Sequence, residues 1–170
     1  MKKTALLLIP VWGILLTGCS NQSSEELESY KKSMTVFYDA LSDYNEAINN
    51  IDPNAEDAKS QLLGYLDEMN ETYKTMSLVE IPEEFSGISE ISVEAADYMQ
   101  MADEFYHQAY DNDFDEESES LASQYYQRAN NRAFVMLQVL HGEVPSGEGV
   151  TVTTQQSIQF STIGTSSGEE

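Results

Sequence analysis

Cysteine, basic residues and long apolar stretches are all scarce in this chain, and each shortage excludes something. Cys19 is the only cysteine among 170 residues, so the chain can form no internal disulfide and no cysteine-rich zinc cluster. Lysine and arginine number 8 against 30 aspartates and glutamates, a formal net charge of −22. Nucleic acid and anionic lipid headgroups repel so acidic a surface, so no nucleic-acid partner is expected. The apolar run from Ala5 to Leu16 is interrupted by Pro10 and Gly13. It is too short to cross a ~30 Å hydrocarbon core as a permanent helix. Catalytic signatures are also missing: there is no glycine-rich phosphate loop and no Ser/His/Asp constellation. Paired carboxylates occur only because carboxylates are everywhere, and no enzyme is expected.

What is present begins at the N-terminus. Lys2 and Lys3 precede the apolar run, which ends in Leu16-Thr17-Gly18-Cys19. A short positive segment, about a dozen apolar residues and small residues before a cut site have the layout of an export signal. The four residues from Leu16 resemble the lipobox of bacterial lipoproteins, with its elements in order. That resemblance implies cleavage between Gly18 and Cys19 and a diacylglycerol on the Cys19 thiol. Residues 1–18 are then a signal peptide and 19–23 a lipidated linker. The lipid holds the protein on the extracytoplasmic face of a membrane without a spanning segment. Ser20 stands where Asp accompanies inner-membrane retention, so in a cell with two membranes the outer one is open to it. The covalent lipid on Cys19 is the only prosthetic group expected. Once acylated, Cys19 leaves no thiol for a metal or a nucleophile. Residues 1–18 hold two of the basic residues and no acidic ones, leaving six against 30 and a formal charge of −24.

Four segments then show helical periodicity. Leu27, Tyr30, Met34, Phe37, Leu41, Tyr44, Ile48 and Ile51 alternate at spacings of three and four, an uninterrupted heptad seam. Ser23 with Glu26 three residues later reads as its capping box. Asp52-Pro53 closes this helix and opens a second over 53–78, with Ala55, Ala58, Leu62, Leu66, Met69, Tyr73 and Met76 on one face. Ile81-Pro82 forces an extended turn, after which Pro82-Glu83-Glu84 suits a helical turn with Gly87 as a joint. The third helix, 86–112, takes Ile88, Ile91, Ala95, Tyr98, Ala102, Phe105 and Ala109 as its seam. Asp113 with Glu116 caps the fourth, 114–141, whose seam is Leu121, Tyr125, Ala129, Ala133, Met136, Leu137 and Leu140. His141-Gly142 makes its C-cap. The expected fold is all-α, an antiparallel up-down-up-down four-helix bundle over residues 24–142. Residues 143–170, rich in Ser, Thr, Gln and Gly, read as a flexible tail, with strand-like alternation between Val150 and Phe160. In pattern alone this domain resembles uncharacterised small helical lipoproteins of Gram-positive envelopes, a likeness that carries no function.

Candidate sites are few. Glu104-x-x-His107 has the spacing of ferritin-like iron ligands, which must point inward and recur on another helix. Here Ala102 and Phe105 hold the seam, which turns Glu104 and His107 outward. The echo at Gln138-x-x-His141 lacks the carboxylate and lies ~30 Å away along antiparallel helices. Asp111-x-Asp113-x-Asp115 opens like a calcium loop, but Glu116 replaces the glycine of the sharp turn and Ala122 the closing glutamate. Asp111, Asp113 and Asp115 remain a weak cation cluster, with no dedicated metal site expected. Arg128 and Arg132, the only basic residues after Lys74, lie one turn apart. They either neutralise carboxylates such as Asp97, Asp103 and Glu104 or contact an anion or partner. The ten tyrosines either pack at the rim or line a groove. The reading favoured is a non-catalytic interaction or scaffold protein of the cell envelope, with a membrane and an envelope protein as partners. The alternative is a lipoprotein that binds a small molecule or cations.

The lipobox makes a direct prediction. Cys19→Ala should accumulate as an unprocessed precursor that takes up no fatty acid. Persistent acyl labelling of that variant in growing cells would contradict the assignment.

Overall fold

The computed structural model describes residues 19–147, with side chains from Ser24 onward. The expected signal 1–18, the side chain of Cys19 and the tail from residue 148, including Val150–Phe160, lie outside the described residues. Four α-helices and one 3-10 helix make up the fold: α1 (Cys19–Asn49), α2 (Ala58–Ser77), the 3-10 helix (Glu83–Ile88), α3 (Ser89–Tyr110) and α4 (Glu116–Leu140). Among the described residues there is no strand, and no helix is long and apolar enough to cross a membrane. This is an all-helical bundle.

Helix boundaries depart from the sequence reading where local hydrogen bonds compete with helix starts. α1 begins at Cys19 rather than at Ser23, so the helix runs through the supposed capping box and takes in residues 19–23, expected as a linker. α2 begins at Ala58, five residues after Pro53. The Asp52 carboxylate accepts the backbone N–H of Asn54 at 2.9 Å, and the Asp52 carbonyl accepts from Ala55 at 3.0 Å. These bonds fold Pro53 into a tight turn and so use up the cap that would have started a helix. At α4 the cap is Asp115, not Asp113. The Asp115 carboxylate accepts from Glu117 N–H and from the Ser118 hydroxyl. Ser118 thus takes the third-position role assigned to Glu116. At the far end Gly142 adopts φ 73°, as a glycine C-cap requires.

The core draws on all four helices. α1 contributes Tyr30, Met34, Phe37 and Leu41, and α2 contributes Leu66, Met69, Tyr73 and Met76. From α3 and α4 the buried residues are small: Ala95, Ala102 and Ala109 face inward on one, Ala122, Ala129 and Ala133 on the other. α3 and α4 are also the most extensively packed pair by backbone proximity. Methyl-sized side chains permit that approach, and Met99 and Met136 fill what remains. The α3 seam is therefore rotated from the one read in the sequence. Ser92, Met99 and Asp103 are buried, while Ile91, Tyr98 and Phe105 sit half-buried at its edge. On α4, likewise, Ala122 is buried and Leu121 and Tyr125 lie at the rim.

Because the α3–α4 contact rests on alanine, Ala129→Leu should destabilise the domain by about 1–3 kcal/mol through overpacking. Val93→Ala, at an exposed site, should stay within about 0.5 kcal/mol. Urea denaturation followed by circular dichroism distinguishes them, and a neutral Ala129→Leu would contradict the close packing.

Candidate functional site

Asp103 and His107 stand one turn apart on α3, and residues so spaced share a helix face. That face meets Asp67 and Asn70 of α2. His107 Nε2 lies 2.9 Å from Asp67 Oδ1, and its Nδ1 lies 3.0 Å from Asp111 Oδ2. Ionised carboxylates only accept hydrogen bonds, so this pair of contacts favours the imidazole with a proton on both nitrogens. Burial works against that charge. The bonds and charges of Asp67 and Asp111 outweigh it, and the His107 pKa lies above its ordinary value. Asp103 is only 9% exposed. Its Oδ2 accepts from Asn70 Nδ2 at 2.9 Å, while its Oδ1 is buried and meets no hydrogen-bond donor among the described residues. Desolvation pushes the Asp103 pKa up, the Asn70 hydrogen bond pulls it down, and the charge of Asp67 adds to the rise. One ligand atom from each of Asp67, Asp103 and His107 lies within 4.8 Å of the others.

His107 was expected at an outward-facing surface position; its side chain is 34% exposed, but it is paired with carboxylates that the sequence did not indicate. The seam rotation that buries Asp103 also carries His107 to the α2–α3 edge, where it is half-buried and tied on both sides. Glu104 is exposed as expected. Asp111, Asp113 and Asp115, by contrast, form no such group among the described residues. Asp111 is engaged with His107 and Asp115 with the α4 cap, which separates the three carboxylates chemically.

Arg128 and Arg132 sit on a stack of rings. Phe105 and Tyr125 are parallel at 5.6 Å and Tyr98 follows at 6.2 Å. Arg128 lies over Tyr125 and Tyr98 at 5.5 and 5.8 Å, and Arg132 over Tyr98 at 5.9 Å. Arg132 Nε also donates to Glu94 Oε2 at 2.6 Å. The arginines thus bind the α3–α4 edge together by cation–π and ionic contact. Arg132 meets a carboxylate of α3 as the sequence suggested, and the one it bonds is Glu94.

A third feature lies between α1 and α2, which pack less closely than α3 and α4. An open groove of about 870 Å³ runs there. Val36, Phe37, Ala40, Tyr44, Met76 and Val79 give it an apolar lining, and Asp67, Glu68, Glu71 and Lys32 stand along it. The sequence offered a tyrosine-lined groove only as an alternative; Tyr44 alone of the tyrosines lines this one, and its place depends on how far two helices stand apart. No family model, no curated protein and no solved structure matches the chain.

The tyrosines divide between rim and core. Tyr38 donates to the Ala133 carbonyl at 2.8 Å, Tyr126 to Asn45 Oδ1 at 2.6 Å and Tyr73 to Asn130 Oδ1 at 3.1 Å. Burial raises their pKa values, and it pushes those of Tyr30 and Tyr106 to about 12. An unfolded tyrosine titrates near 10. Above pH 10 the unfolded chain therefore loses protons that the folded chain keeps. Stability present below pH 10 declines as pH rises to about 12, by up to about 1.4 kcal/mol per pH unit for each such tyrosine. Ionisation of these buried tyrosines and loss of helical circular dichroism should accordingly occur together in one alkaline transition. Full ionisation near pH 10 with the helices intact would refute the buried network.

Proposed function

We propose that this protein is a lipid-anchored, extracytoplasmic component of a bacterial cell envelope whose helical domain docks a partner protein and performs no catalysis. Leu16-Thr17-Gly18-Cys19 supports the address. The α1–α2 groove carries the docking reading. Its volume suits a row of side chains from a helix, and its floor is apolar. Three carboxylates and one lysine edge it, so its complement is an amphipathic helix with an apolar stripe and basic flanks. Val36, at the centre of the α1 side, is 62% exposed, an apolar side chain that a partner helix would cover.

We read the bundle as up-down-up-down, and the order of cross-helix pairs supports this. Tyr38 reaches residue 133 while Asn45 reaches residue 126. Asp67 meets residue 107 while Asn70 meets residue 103. Glu94 meets residue 132 while Tyr98 meets residue 125. In each pair one number rises as the other falls, which is the signature of antiparallel neighbours.

A photo-crosslinking amino acid placed at Val36 in living cells, with Val93 on α3 as the control position, tests the docking. The expected result is one discrete envelope protein captured from residue 36 and not from residue 93. Glu68→Lys with Glu71→Lys should abolish that capture. Crosslinks to the chain's own residues 148–170, or identical products from both positions, would overturn the reading.

A further inference from the structure

We propose that Asp67, Asp103 and His107 form a binding site for a divalent transition-metal ion, zinc above all, that joins α2 to α3. The inference does not rest on the docking reading, although Asp67 also edges the groove. Two separate observations carry it. The first is the donor set: two carboxylates and one imidazole from two helices, with their ligand atoms within 4.8 Å of one another. A tetrahedral zinc with bonds of 2.0–2.2 Å sets its ligands ~3.4 Å apart, so small side-chain rotations close the site. The second is Asp103 Oδ1, an acceptor in a residue only 9% exposed that is buried without a hydrogen-bond partner. A carboxylate oxygen in that state is costly unless something positive meets it.

The surroundings fit the same assignment. Asn70 donates to the other oxygen of Asp103, which leaves Oδ1 without a donor among the described residues. Asp111 holds His107 Nδ1 at 3.0 Å, the outer contact that orients a metal-bound imidazole and fixes its tautomer. Nε2 then faces Asp67. Metal binding there exchanges one proton on Nε2 for the cation, and the proton leaves to solvent. The imidazole favours zinc and its neighbours over calcium and magnesium, which take oxygen ligands alone. Three protein ligands leave the fourth position to water.

The test uses the full chain in detergent, stripped with a chelator, at roughly 10 µM, titrated with zinc and separately with cobalt in excess calcium. Calcium suppresses diffuse binding to an acidic surface but not a site containing an imidazole. One equivalent of zinc should bind saturably and raise the melting temperature, and cobalt should give visible absorption bands. His107→Gln and Asp103→Asn should each weaken binding by about 100-fold or more, and Asp111→Asn by about 10-fold. Zinc-free melting curves show whether each variant is folded. Should His107→Gln fail to fold, the imidazole nitrogen chemical shifts of the unaltered protein report whether zinc replaces the Nε2 proton. Unsaturable binding, binding abolished by calcium, or binding unchanged in folded Asp103→Asn and His107→Gln would overturn the site.

Discussion

The alanines of α3 and α4 set the geometry on which everything else rests. Ala95, Ala102 and Ala109 repeat every seven residues on one helix, and Ala122 and Ala129 do so on the other, all fully buried. Side chains this small contribute little hydrophobic free energy themselves, about 0.8 kcal/mol for a methyl-sized group. Their effect is to let two backbones approach, which turns α3–α4 into the closest pair of the bundle. Bulk must then come from elsewhere. Tyr30, Met34 and Phe37 of α1, with Met69 and Tyr73 of α2, supply it. A large residue at an alanine position would push α4 outward and break the Arg132–Glu94 contact and the ring stack beneath Arg128 along with the seam.

A core filled with tyrosine has a second requirement. Each buried hydroxyl needs a partner, because an unpaired one costs about 1–3 kcal/mol. α4 meets this requirement with its own backbone and with Asn130: the Ala133 carbonyl receives Tyr38, and Asn130 receives Tyr73 while donating to the Tyr126 carbonyl. Asn45 of α1 receives Tyr126 in return. These bonds hold α1 in register with α4 although their backbones stand well apart. Only Tyr30 has a buried hydroxyl without a partner among the described tyrosines, and it lies against Phe85 of the 3-10 helix. Register therefore comes from directional bonds on one side of the bundle and from close packing on the other.

Periodicity revealed the number of helices, their order and most of the α1 and α2 faces, because large apolar residues on those helices coincide with burial. It misplaced the α3 face for a physical reason. Tyr98 and Phe105 are the bulkiest residues of the seam read from the sequence, and a hydrophobic pattern gives them the centre. An alanine-lined contact has no room for them, so they move to the rim and stack on Tyr125. The same rotation buries Asp103, and no propensity scale would place a carboxylate there. Sequence spacing drew attention to Glu104-x-x-His107, whereas the face that meets Asp67 is Asp103-x-x-x-His107. The aspartate contributed by α2 was beyond reach, since a contact between residues 67 and 107 depends on tertiary packing. The start of α4 was misread by two residues, because Asp113 and Asp115 are equally good caps locally. Burial of Ser118, which bonds Asp115, decides between them.

The helical start of the described chain bears on how such a domain would sit at a membrane. With α1 already helical at Cys19, a lipid there would join a stiff rod and not a loose tether. The groove flanks residues 29–44 of α1, so it begins ~15 Å from Cys19 and extends ~22 Å further at 1.5 Å per residue. Lys31 and Lys32, the only basic residues of α1, lie ~18 Å along the same rod, about two Debye lengths at physiological salt. Attraction of those lysines to anionic headgroups is screened at that distance, and so is repulsion by carboxylates that lie as far along the rod. On the lipoprotein reading proposed above, acyl chains would therefore supply the membrane affinity, and the length of the rod would set the distance between the groove and the bilayer.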